Sequence, residues 1–106
     1  HGEIQPGMRI SLLPVAQAEL DDTFAWYEGQ TAGLGYLWLD EFDQAVRFLA
    51  TFPESFELVG GGLRRCMVNR FPYGIFYGVD GDHIVVVAVA HLKREPKYWI
   101  DRWPTP

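Results

Sequence analysis

Cysteine occurs once in the 106 residues, at position 66. A lone thiol closes no internal disulfide and builds no zinc site, and Cys66 stands in an alternating apolar segment, which points to a buried thiol rather than a nucleophile. No apolar run approaches the roughly 20 residues that cross a bilayer, and no charged stretch leads into an apolar one at the start. Membrane and secretory readings therefore lapse, and the expected location is the cytoplasm. Internal repeats and low-complexity tracts are also missing, and a chain this short has no room for a two-domain enzyme. Apolar bulk is what the sequence has in quantity. With 48% hydrophobic and 15% aromatic residues it can fill one core.

Standard chemical motifs are scarce. His83 and His91 lie eight residues apart with no Cys or carboxylate at ligand spacing, so no metal site is expected. His1 belongs to the opening HGEIQPG, which has no periodicity and runs into Met8; residues 1–7 read as a vector-derived leader and 8–106 as a single domain. Gly60-Gly61-Gly62 lacks the Lys-Ser/Thr and the helix of a phosphate loop and reads as a connector or bulge. Ser11 and Ser55 have no nucleophile context, while Asp21-Asp22 and Asp40-Glu41 read as solvated helical faces. No cofactor is implied.

Periodicity gives the architecture. Arg9 to Leu13 is a short apolar strand ending at Pro14, which is placed to open a helix. Ala16, Leu20, Phe24 and Tyr27 recur on one helical face, with Glu19, Asp22 and Glu28 largely off it. After the break from Gly29 to Gly35, helical spacing resumes at Leu34, Trp38, Phe42, Ala45, Leu49 and Phe52, and Pro53 ends it. Beyond Pro53 the period becomes 2, giving strands at Leu63–Asn69, Tyr73–Val79 and His83–Ala90. Asp80-Gly81-Asp82 is a hairpin turn signal. Val85 to Val89 belong to a run apolar at nearly every position, as in a central strand covered on both faces. The expected fold is α+β, of order β-α-α-β-β-β, with a helical hairpin on one face of a small, mainly antiparallel sheet. The other face is expected to stay partly uncovered, and Pro96 to start a short C-terminal helix with Lys97 and Arg102 on a solvated side.

Charge is segregated along this order. Residues 1–57 hold ten acids and two bases, whereas residues 58–106 hold four acids and seven bases. If the bases of the second half share a face, a weakly acidic protein still offers a basic patch to RNA, DNA or an acidic peptide. The candidate catalytic group is Arg65, Arg70, Arg94, His91 and Tyr98: guanidinium forks to grip phosphate or carboxylate, and an imidazole or phenol to handle a proton. Arg64, Tyr73, Tyr77, Lys93 and Lys97 are candidates for partner or nucleic-acid contact. Core packing competes for Tyr73 and Tyr77, a structural imidazole for His91, and loop carbonyls for Arg70.

At these residues the chain resembles the RelE/ParE superfamily of bacterial toxins, also known as plasmid stabilisation proteins. The likeness spans Met8 to Trp103 and rests on Trp26-Tyr27-Glu28, Gly33-Leu34-Gly35, Pro53, Leu63-Arg64-Arg65, Arg70-Phe71-Pro72-Tyr73, Tyr77, and His91-Leu92-Lys93-Arg94-Glu95-Pro96 followed by Trp99. It implies a type II toxin neutralised by a cognate antitoxin whose C-terminal segment wraps it. Some superfamily members inhibit DNA gyrase and others cleave messenger RNA on the ribosome without a metal. One arginine of those nucleases falls at Gly74 here, while Lys93 or Arg94 matches their second arginine and Tyr98 or Trp99 the region of their terminal tyrosine. A ParE-like toxin is thus the leading expectation. The alternatives are a RelE-like endoribonuclease, with Arg65 or Arg70 substituting, and a nontoxic interaction domain. A second copy of the chain is a further candidate partner.

Overall fold

Strand β1 (Arg9–Leu12) is only four residues long because helix α1 (Pro14–Gln30) begins directly after Leu13, with Pro14, which needs no backbone donor in a first turn, at its start. The computed structural model describes residues 8–94 and 97–104; the expected leader at 1–7 and the helix start at Pro96 lie outside them. Helix α2 (Leu34–Thr51) has no side-chain cap of its own. Glu28 supplies one, its carboxylate accepting the N–H groups of Gly33 and Gly35 at 2.9 Å each. Four strands follow: β2 (Glu57–Gly60), β3 (Leu63–Met67), β4 (Tyr73–Asp80) and β5 (His83–His91).

The five strands form one sheet of order β1-β5-β4-β3-β2, with β1 parallel to β5 and the other pairs antiparallel. This is the expected α+β arrangement with one strand more. The extra strand is β2, which the reading of the three glycines as a connector or bulge did not include, although the register against β3 does shift between Leu58 and Gly60. The glycines are the turn of the β2–β3 hairpin, with φ of 121°, 64° and 79° at Gly60, Gly61 and Gly62, a left-handed path that side-chain-bearing residues resist. The Asp-Gly hairpin forms as expected, Asp80 pairing with His83 across a turn with Gly81 at φ 62°. Among the described residues no helix is long and apolar enough to cross a membrane.

The helices bury Ala16, Leu20, Trp38, Phe42 and Leu49 against Ile75, Tyr77, Ile84, Val86 and Val89 of the sheet. Phe52, expected on this face, sits just past the end of α2 and is 51% exposed. The run of β5 does cover both faces, but not by simple alternation. Its register against β4 slips so that Phe76 faces Ala88 and Tyr77 faces Val86, leaving Val87 as an extra residue. The bulge reverses parity. Val85, Val87, Ala88 and Ala90 pack on the second face, while Ile84, Val86 and Val89 remain on the helical one. Because nearly every residue of β5 is apolar, the switch exposes nothing.

That second face is not left open, as the sequence reading had it. The C-terminal segment folds across it, Trp99 stacking on Phe76 with ring centres 4.4 Å apart, and Ile100 and Trp103 packing beside them. Among the described residues, regular helix in the segment amounts to one 3-10 turn, Ile100–Arg102. The indole of Trp103 lies directly on Gly78, where a Cβ would overlap the ring. Gly78→Ala is accordingly expected to destabilise the fold by about 1–3 kcal/mol. Gly29→Ala, within α1 and with nothing within 4 Å, is expected to leave stability unchanged or raise it. Urea unfolding of the two variants checks this, and equal midpoints would contradict the packing of Trp103.

Candidate functional site

Glu19 is the residue around which the site is assembled. It projects from α1 beside the core stripe, and its side chain is 16% exposed. One carboxylate oxygen accepts the Val89 N–H at 2.9 Å, and the other accepts the Tyr98 hydroxyl at 2.8 Å. Arg102 completes the group, its guanidinium nitrogens 3.2 and 3.3 Å from the two oxygens. The same guanidinium donates to the Val87 carbonyl at 2.9 Å. These are charge-assisted bonds in a partly dried setting, stronger than neutral ones. They bind the C-terminal segment to α1 and β5 at once. Arg102 is therefore not on a solvated helical side as expected, its side chain being 21% exposed.

With the segment so placed, a cleft of about 370 Å³ opens between it and the sheet, lined among others by Arg65, Phe76, His91, Arg94, Lys97 and Tyr98. Four candidates separated in sequence, Arg65, His91, Arg94 and Tyr98, thus meet here, with Lys97. Arg65 reaches the cleft along β3, where its guanidinium binds Glu57 at 2.7 Å. Its stem crosses Gly74: a Cβ there would stand 3.1 and 3.2 Å from the Arg65 Cγ and Cδ. The missing side chain at 74 thus makes the room Arg65 occupies. Arg94 lies over the Tyr98 ring with its guanidinium carbon 4.1 Å from the centroid, and Arg102 approaches the same ring at 5.0 Å. His91 accepts the Lys93 N–H on Nδ1 at 3.0 Å. Burial pushes the Tyr98 hydroxyl up to about 12, reinforced by its bond to Glu19 and that carboxylate's charge, against the opposing pull of Arg94 and Arg102.

The other candidates lie elsewhere. Arg70 adopts φ 72° in the β3–β4 loop and pairs with Glu41 of α2 at 3.4 Å. Arg64 donates to the Phe56 carbonyl at 2.7 Å and lines a different depression, near Tyr77 and Val79. Tyr77 is wholly buried, its hydroxyl donating to the Pro53 carbonyl at 2.7 Å, so its ring offers no surface to a partner. Tyr73 packs on the helical face against Trp38, ring centres 4.9 Å apart. Lys93 is exposed in the turn after β5 and does not line the cleft. Sequence reasoning missed Glu19, Arg102 and Glu57. The one local signal was an acid at position 19 immediately beside the apolar stripe residue Leu20. Among the described residues no group of three or more His, Cys, Asp or Glu could hold a metal ion.

The sequence model of the family described as ParE toxin of type II toxin-antitoxin system, parDE, matches residues 10–96. A solved structure described as the chromosomal ParDE TA system from P. aeruginosa superposes with a TM-score of 0.67 at 18% identity, covering 79% of this chain and 95% of that one. No curated protein matches the sequence.

Two measurements probe the site's construction. Glu19→Ala leaves the Val89 N–H and the Tyr98 hydroxyl without their acceptor and Arg102 without its counter-charge, and is expected to cost roughly 2–3 kcal/mol, with altered tryptophan fluorescence as the C-terminal segment loosens. A loss of only a few tenths with unchanged emission would contradict it. Among the described residues four groups are held protonated beyond their ordinary range: the Cys66 thiol, raised from 9.0 to about 11 by burial, the Tyr77 and Tyr98 hydroxyls, each raised from 10.0 to about 12, and the Tyr27 hydroxyl, raised by burial and by Tyr73 beside it. The unfolded chain loses these protons first, so raising the pH favours unfolding. Urea midpoints should hold through neutral pH, then fall from about pH 9 onward through 12; a midpoint that stays flat there would contradict the burial of these groups.

Proposed function

Since this chain belongs to the ParE toxin family of type II toxin-antitoxin systems, we propose that it is a cytoplasmic, non-nucleolytic toxin that acts on DNA gyrase through its basic cleft and is neutralised by a cognate antitoxin. The observation carrying this reading is what the cleft contains: Arg94, Lys97, His91 and an Arg65 paired with Glu57 line one concavity, while the Tyr98 phenol there has its proton committed to Glu19. Such a surface grips anionic groups of a large target. RNA cleavage demands more, since the leaving oxygen needs a proton donor poised near neutral pH. That role falls to His91, since the Tyr98 hydroxyl is tied to Glu19 and pushed up to about 12; what the cleft lacks is the cation that position 74, a glycine here, would bring to the phosphorane.

The edge of the sheet supports neutralisation by an antitoxin. Among the described residues strand β2 pairs only with β3, and its own Leu58 and the nearby Phe48 and Phe52 are 60%, 57% and 51% exposed. An open edge next to apolar surface is prone to mispairing unless covered, and an extended antitoxin segment can complete it through main-chain hydrogen bonds. The endoribonuclease alternative draws on one observation, the Arg65 stem occupying the space over Gly74.

Controlled expression separates the readings. Growth arrest without the antitoxin, relieved with it, is expected, together with inhibited gyrase supercoiling and intact ribosome-bound message. Arg94→Ala combined with Lys97→Ala should weaken inhibition by roughly tenfold or more at matched folded protein levels. Ribosome-dependent cleavage would instead select the nuclease, and normal growth at matched levels the nontoxic domain.

A further inference from the structure

A second cleft, of about 410 Å³, lies on the helical side and is lined by Asp22, Thr23, Trp26, Tyr27, Tyr73 and His91. Its walls are aromatic. Trp26 stands edge-on to Tyr27 at 5.3 Å and 83°, Tyr27 to Tyr73 at 6.2 Å and 69°, and Tyr73 to His91 at 5.0 Å and 77°. Tyr27 and Tyr73 also serve the core, through Phe71 and Trp38. Trp26 does not: it belongs to neither buried cluster and leaves 60% of its surface in water. Folding alone gives no reason for an indole there.

The polar groups of this cleft select the charge of an occupant. Asp22 lies one helical turn before Trp26, is exposed, and makes no ion pair among the described residues. Residues 8–57, which supply both helices, carry nine acids and two bases, so the surrounding field also attracts cations. Aromatic faces beside a carboxylate form a receptor for a positive charge, through the ring quadrupoles and direct attraction together. A planar guanidinium fits better than a compact ammonium. It stacks on rings, and its fork of donors suits the Tyr27 and Tyr73 hydroxyls, which make no hydrogen bond among the described residues. An anion would meet Asp22, and a purely apolar group would leave that carboxylate beside it unanswered.

We propose that this cleft is a receptor for one arginine side chain presented by a partner protein. It is distinct from the basic cleft, shares only His91 with it, and stands whether or not gyrase is the target.

The probe is N-acetyl-arginine amide, titrated into the isotopically labelled full chain while amide and indole N–H resonances are followed, with N-acetyl-citrulline amide as the neutral counterpart of the same shape. Saturable shifts are expected at the Trp26 indole and at residues 22–27, 73 and 91, with citrulline binding at least about fivefold more weakly. Trp26→Ala and Asp22→Asn, both changes at exposed positions of α1, should each weaken arginine binding by roughly threefold or more while leaving distant resonances in place. Equal shifts from arginine and citrulline, shifts spread without saturation over both helices, or binding unaltered by Trp26→Ala would each overturn the proposal.

Discussion

The carboxylate of Glu19 stands at the point where three parts of the chain must be reconciled. Strand β1 stops at Leu12, and its last bond to β5 is the Leu13 N–H to the Val86 carbonyl. Beyond that, β5 runs on to His91 with no neighbouring strand on that side among the described residues. Backbone groups left unpaired at such an edge are costly when dried and a hazard when wet. Glu19 takes the Val89 N–H and Arg102 fills the Val87 carbonyl, so two side chains from opposite ends of the sequence stand in for a strand. Since Glu19 and Arg102 also bind each other, closing the edge and docking the C-terminal segment are a single event.

The consequences reach both faces of the sheet. Docking brings Trp99 and Trp103 over the second face, and the β5 bulge turns enough apolar side chains toward them to make a second core. The basic cleft is the part of that face the segment borders without filling. Arg94 and Lys97 sit where they do because Tyr98 is tied to Glu19. On the other side, the acidic helices carry an aromatic recess of opposite electrostatic character. A small toxin thereby presents two chemically distinct surfaces, one suited to anionic groups and one to a cation.

Much of this was legible in the sequence, and what was not has a physical reason. The helices and strands β3 to β5 announce themselves through their periods, and the Asp80-Gly81 turn through its chemistry. Strand β2 does not, because four residues, the last of them the first of three glycines, carry no period, and only pairing with β3 makes them a strand. Convergence of Arg65, His91, Arg94 and Tyr98 was expected from residue type. The exclusion of Arg70 was not, since it depends on a left-handed loop residue turning toward Glu41. The covering of the second face and the Glu19–Arg102 pair were out of reach for a different cause. Glu19 and Arg102 lie 83 residues apart, Trp99 and Trp103 meet Phe76 and Gly78 from another element, and no local pattern records contacts made only when the whole sheet is assembled.

Amide hydrogen exchange at Val89 tests most directly whether Glu19 closes the edge of β5. In the intact chain this N–H, although it faces no strand, should exchange nearly as slowly as the central amides of β4, and only through opening on the scale of the whole domain. In Glu19→Gln, where the charge is lost and the shape kept, its protection should fall selectively, along with that of the segment from 97 to 104. Rapid exchange at Val89 in the intact protein, at the rate of an ordinary exposed edge, would contradict the central role given to Glu19.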